Sequence, residues 1–108
     1  MSELALTERE TNQSFDLHVG SPVVIRLPEN PTTGYRWNID QLDDSIVSVE
    51  GSEFSQNPGS GVGGGGLRTI RLRPTGVGIT RLALKNKRPW EADASAVGQF
   101  EVTLRIFP

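Results

Sequence analysis

The stretch Phe100-Glu101-Val102-Thr103-Leu104-Arg105-Ile106 places an apolar residue at every second position and a polar one between each pair. Successive side chains of an extended chain point to opposite faces, so this pattern builds a strand with one face buried and the other in water. The same two-residue step recurs upstream, in Phe15, Leu17, Val19, in Val23, Ile25, Leu27, and in Tyr35, Trp37, Ile39 followed by Ile46. It returns in Ile70, Leu72 and in Leu82, Leu84, and no helical stripe of comparable clarity competes. Turn chemistry separates the runs at Gly20-Ser21-Pro22, Glu29 to Gly34, Leu42 to Ser45, Gly51 to Gly66, Pro74 to Gly78 and Asn86 to Asp93. The pattern predicts an all-β fold, an immunoglobulin-like antiparallel β-sandwich of about seven or eight strands.

The 108 residues form one domain, 1–108, and a chain of this size buries enough surface to fold without metal or disulfide staples. Its 11 basic residues are scattered and the net charge is −2, which lacks the electrostatic footprint of a nucleic-acid binder. No apolar run approaches the length of a membrane span, so neither nucleic acid nor membrane is an expected partner, and a monomer is expected. Met1 to Leu6 has neither a basic n-region nor an apolar h-region. The expected location is therefore cytoplasmic by default, and periplasmic or extracellular for a chain from which a leader was cleaved. Asn12-Gln13-Ser14 fits a glycosylation acceptor that matters only in a secreted protein, and Asn30-Pro31-Thr32 does not fit, because proline takes the middle position.

Catalysis has little to work with. There is no cysteine, and His18 is the single histidine, alternating with Leu17 and Val19 as a surface residue. Neither a thiol nucleophile nor a second imidazole is present to build a metal site, so no metal and no cofactor are expected. Asp43 and Asp44 are adjacent on a turn and point apart, and no base accompanies Ser45, Ser48, Ser52 or Ser60. The chain reads as a non-enzyme.

If successive strands alternate in direction, the connections near residues 30, 60 and 90 share one end of the sandwich. Those near 21, 43 and 76 share the other. The second set is short and bland, whereas the first carries Asn30-Pro31-Thr32-Thr33-Gly34-Tyr35, Gly61-Val62-Gly63-Gly64-Gly65-Gly66 and Arg88-Pro89-Trp90-Glu91. Binding residues concentrate on loops held by a rigid scaffold, so function is expected at this first end. In the first loop Pro31 fixes its own φ and Gly34 permits a positive one, giving a stiff tip with Thr32 and Thr33 at its apex; an ordinary turn held by an Asn side-chain hydrogen bond explains it equally. Gly61, Gly63 and Gly66 fit G-x-G-x-x-G, but Leu67 to Arg73 continues as a strand rather than a helix, and position 86 is Asn. That excludes a dinucleotide fingerprint. What remains is a plain linker, or a loop whose missing side chains let another backbone come close. In the third loop Arg88 and Trp90, residue types enriched at interface hot spots, flank Pro89; Trp90 either projects into solvent or folds back on the sandwich edge.

Together the three loops resemble the chagasin family, protein inhibitors of papain-like cysteine peptidases. That family has an immunoglobulin-like sandwich with an N-P-T-T-G-aromatic motif, a G-x-G-G motif and an R-P-W motif on three loops at one end. Here they stand as Asn30-Pro31-Thr32-Thr33-Gly34-Tyr35, Gly61-Val62-Gly63-Gly64 and Arg88-Pro89-Trp90, in that order, and the match covers most of the chain. The resemblance implies a reversible, non-covalent, tight-binding wedge in the active-site cleft. It puts the first loop over the catalytic cysteine and histidine, with Thr32 nearest, and the glycine loop along the non-primed side, pairing backbone to backbone. It puts Arg88 and Trp90 on the primed side, the tryptophan against an aromatic of the enzyme. Where the family commonly has threonine after G-x-G-G, this chain has Gly65 and Gly66, which predicts a weaker contribution from that loop. Two other readings remain, a carbohydrate-binding module stacking Tyr35 and Trp90 on sugar rings, and a structural or adhesion domain whose loop end is inert.

Overall fold

The computed structural model describes residues 3–56, 65–92 and 95–108. Eight strands occur among them: β1 (Leu4–Leu6), β2 (Gln13–His18), β3 (Val23–Glu29), β4 (Arg36–Gln41), β5 (Val47–Gln56), β6 (Gly66–Pro74), β7 (Gly78–Lys87) and β8 (Gly98–Phe107). They form two four-stranded sheets, ordered β1-β3-β6-β5 and β2-β8-β7-β4. The inward residues are those the alternation selects. Ile25, Leu27, Ile70 and Leu72 from one sheet meet Leu82, Leu84, Phe100, Val102, Leu104 and Ile106 from the other. Deep burial of such side chains supplies roughly 1.5–3 kcal/mol each before entropy is counted, and this core is what holds the loop ends rigid.

Four features depart from the sequence reading. Both sheets are mixed rather than purely antiparallel, because β1 runs parallel to β3 and β2 parallel to β8. The chain passes from β1 to β2 through a short 3-10 turn at Glu8–Glu10 that carries it from one sheet to the other, where a hairpin would have kept it in the first. β1 itself is too short for a two-residue pattern to register. β5 runs through Gly51 to Gln56, a segment expected to be loop, because β6 supplies it with a continuous partner from Gly51↔Arg71 to Gln56↔Gly66. Finally, Ile39 and Val19 are more exposed than their alternation predicts. Ile39 lies on the edge strand β4 beside a register shift, and Val19 lies just beyond the end of β2.

Register then decides which loops meet. Glu29 at the end of β3 and Gln56 at the end of β5 both pair with Gly66 at the start of β6. Across the sandwich, Arg36 at the start of β4 pairs with Lys87, and Asn86 with Gly98. The connections after β3, β5 and β7 therefore leave from one end. The opposite end is closed by short backbone links, Gly20 N to Pro74 O at 2.9 Å and Thr75 N to Ile46 O at 2.8 Å.

Candidate functional site

The first loop is stiff because its polar groups are satisfied within itself. Residues 31–33 form a single 3-10 turn. Asn30 caps it, its Oδ1 accepting from Thr32 N at 3.1 Å and from Thr32 Oγ1 at 2.6 Å. Thr33 Oγ1 donates to Asn30 O at 2.8 Å, and Thr33 N donates to the same carbonyl at 3.3 Å. Asn is well suited to this position, since its side chain reproduces a backbone turn two residues on. Thr32 stays exposed at the tip. Gly34 leaves the turn at φ +82°, a region L side chains avoid.

The third loop braces the first. Arg88 Nε donates to Thr33 O at 3.1 Å, and the guanidinium stacks over the Tyr35 ring at 4.5 Å from its centroid. Arg88 Nη1 also lies 3.5 Å from Glu91 Oε1, while Glu91 N returns to Arg88 O at 3.0 Å and closes the loop on itself. Lys87 Nζ donates to Glu91 O at 3.0 Å. Trp90 is 73% exposed, yet its ring edge approaches Gly34 so closely that a Cβ there would stand 3.2 Å from it. Both expectations for Trp90 are thus partly met, since it is held at the loop tip by one edge and open to solvent over most of its surface. The position of Arg88 is less expected. The resemblance puts it against an enzyme, and the fold commits its Nε and its planar face to the first loop.

Under these loops lies a charge pair that the sequence reading missed. Glu29 is 3% exposed. Its carboxylate accepts from Arg68 Nη2 at 2.7 Å and Nε at 3.2 Å, and its Oε2 also accepts from Trp37 N at 2.9 Å. Trp37 Nε1 donates to Pro28 O at 2.8 Å. Arg68 Nη1 reaches Ser52 Oγ at 3.3 Å, and its guanidinium lies 5.8 Å from the Phe54 centroid. A signal was available. Extending Val23, Ile25, Leu27 by one step reaches Glu29, and extending Leu72, Ile70 back by one step reaches Arg68, so opposite charges occupy inward positions of two neighbouring strands.

The structure brings Asn30, Thr32, Thr33, Gly34, Tyr35, Arg88 and Trp90 together at one end, with exposed Pro89 between the two anchors. For Pro31 it gives the backbone turn. Gly61, Val62, Gly63 and Gly64 lie outside the described residues, but the strands on either side of them emerge at the same end. Gly65 touches the base of the first loop, where a Cβ would lie 3.5 Å from Glu29 O. His18 sits at the opposite end, its exposed ring 3.1 Å from Pro108 O. Among the described residues no three His, Cys, Asp or Glu side chains group as a metal site.

Known proteins share this fold. The sequence profile of the chagasin family of peptidase inhibitors matches residues 16–104. Amoebiasin-2 of Entamoeba histolytica is 36% identical over 87 residues, 80% of this chain and 71% of that protein. Chagasin of Trypanosoma cruzi is 27% identical over 105 residues, 93% of this chain and 94% of its own. The crystal structure of a cysteine protease inhibitor from Entamoeba histolytica superposes with a TM-score of 0.87 at 29% identity, covering 97% of this chain and 96% of that one. With the fold and 89 consecutive residues of profile in agreement, this chain belongs to the chagasin family, a family of peptidase inhibitors rather than enzymes.

Proposed function

We propose that this protein is a reversible, non-covalent inhibitor of papain-like cysteine peptidases, and that the loop end enters the active-site cleft. The observation that carries the reading is the mutual bracing of the first and third loops through Arg88, Tyr35, Thr33 and Glu91. A wedge whose tip is already ordered loses little conformational entropy on docking. Thr32 leads that wedge, and Trp90 offers a large anchor at its side. Residues 61–64, the glycine loop, would complete the surface, and about 800 Å² on each partner is the area such a contact normally buries.

The same turn geometry disfavours cleavage of the tip. A peptidase cuts an extended segment laid along its cleft, whereas residues 31–33 are folded into a turn whose backbone bonds are made internally. Nothing at the tip is a nucleophile or an electrophile, so release regenerates both proteins. The carbohydrate reading needs open faces on both aromatics; Trp90 offers one, but one face of Tyr35 is covered by Arg88. The test is a titration of papain and a cathepsin L-like peptidase with the purified protein, using a trypsin-like serine peptidase as control. Stoichiometric loss of cysteine-peptidase activity alone supports the reading; no inhibition at micromolar protein defeats it.

A further inference from the structure

We infer that Glu29 is the positioning residue for the inhibitory end, acting through the Trp37 amide to set the base of the first loop. The inference rests on the inhibitor reading for its effect on a peptidase, but its structural part stands alone. Glu29 and Trp37 are the residues immediately before and after the segment Asn30–Arg36. A single carboxylate oxygen of Glu29 takes the Trp37 N–H at 2.9 Å, and the Trp37 indole returns to Pro28 O at 2.8 Å. Two hydrogen bonds thus close the loop at its neck, from β3 in one sheet to β4 in the other.

The same carboxylate reaches the exit of the glycine loop. Its bonds to Arg68 fix it to β6 two residues after Gly66, and the Glu29 carbonyl packs against Gly65. A group buried this deeply needs every acceptor occupied, because an unsatisfied buried charge is costly. Oε2 takes the Trp37 amide at 2.9 Å and Arg68 Nε at 3.2 Å while Oε1 takes Arg68 Nη2 at 2.7 Å, so the two oxygens together satisfy the guanidinium and the amide. Glutamine keeps one acceptor oxygen and puts an NH2 donor where the second stood, facing a guanidinium N–H, so one of these bonds is lost. The alternation of β3 would accept any aliphatic residue at position 29, so burial alone does not explain glutamate. The pair with Arg68 and the neck of the first loop together do.

The role separates from mere stability in two double variants that both remove the ion pair. Glu29→Met with Arg68→Met leaves an apolar pair with no acceptor for the Trp37 amide, while Glu29→Gln with Arg68→Met keeps one amide oxygen for it and leaves no bare cation. Buried ion pairs replaced as a unit by apolar groups usually keep the fold. The expected result is an inhibition constant against papain raised at least tenfold in the first variant and within about threefold of the parent in the second. Equal constants for the two folded variants would overturn the assignment. Should either variant fail to fold, native-state hydrogen exchange on the unaltered protein decides: a Trp37 amide exchanging at the rate of a free edge-strand amide overturns the role, and strong protection supports it. If the unaltered protein does not inhibit, the inhibitor reading falls while the exchange result still judges the clamp.

Discussion

Arg88 Nε lies 3.1 Å from the carbonyl oxygen of Thr33, so the third loop holds the first from 55 residues away in sequence. One guanidinium edge makes this bond while its plane covers Tyr35. Arginine suits the position because a planar fork can stack and donate at once.

Replacing Arg88 separates these two tasks. Lysine keeps the charge but not the stacked plane or the directed Nε bond. A hydrogen bond of this kind is worth about 1 kcal/mol and the cation–π contact a further ~0.5–1 kcal/mol. Arg88→Lys is therefore expected to lower the melting temperature by up to about 10 °C and, by loosening the first loop, to weaken inhibition about tenfold, and Arg88→Ala to do somewhat more of both. Progress curves against papain give the inhibition constants. A lysine variant as potent as the parent would mean that charge alone matters.

Gly34→Ala tests the contact between the loops from the other side. It forces a Cβ into a left-handed conformation and to 3.2 Å from the Trp90 ring. The ring must move, and the backbone strain adds about 1 kcal/mol. The expected result is weaker inhibition that combines non-additively with Trp90→Ala, since both changes disturb one contact. Trp90→Ala itself is expected to raise the inhibition constant more than truncation of the Gly61 to Gly64 loop does. The reverse order with one enzyme would shift the main anchor to the glycines.

Gly66 is constrained by backbone, not by function. A Cβ there would stand 2.9 Å from the Gln56 Cα and well inside contact distance of Ser55 O, whereas at Gly51 nothing lies within 4 Å. Gly66→Ala must separate β5 from β6 and is expected to cost about 2–3 kcal/mol, a fall of roughly 10–20 °C in melting temperature for a domain this size. Gly51→Ala should leave the midpoint within a few degrees. Thermal denaturation followed by circular dichroism compares the two.

Asp43 gives the acid side of the stability curve a specific contributor. The Ser45 hydroxyl, at 2.6 Å, and the Ser45 amide, at 3.0 Å, both donate to its Oδ1 and hold its carboxyl below the ordinary value of 3.8. A carboxylate depressed by folding stabilises the native state above its unfolded pKa and loses that contribution as pH falls through the folded value. The melting-temperature gap between the parent and Asp43→Asn should be largest above pH 3.8 and close at lower pH. A gap that stays constant down to pH 2 would show the turn indifferent to this charge.

Comparing particular strands shows which signals carried far. The alternation in β8 was legible because the strand lies inside its sheet, between β2 and β7, and its inward residues Phe100, Val102, Leu104 and Ile106 are all buried. β1 escaped notice because three residues hold no period, and the far half of β5 because serine, glutamate and glycine give no apolar stripe on an edge strand. The pairing with β6 supplies its stability, and pairing is not a property of the β5 sequence. The candidate site divides in the same way. Asn30 to Tyr35 and Arg88 to Trp90 could be read as loops with chemistry, since proline, glycine and asparagine constrain the backbone locally.

The sequence by itself determined the sandwich, its inward face and the three loops at one end, because strand periodicity and turn chemistry are local properties of the chain. Only the tertiary structure decided what those loops do to one another. Arg88 became a brace on Thr33, Trp90 a cover over Gly34, and Glu29 a buried clamp on Trp37 and Arg68. Each of these joins residues brought together by strand register and by the packing of one sheet on the other, and a hydrogen bond between distant residues exists only once both have set the distance.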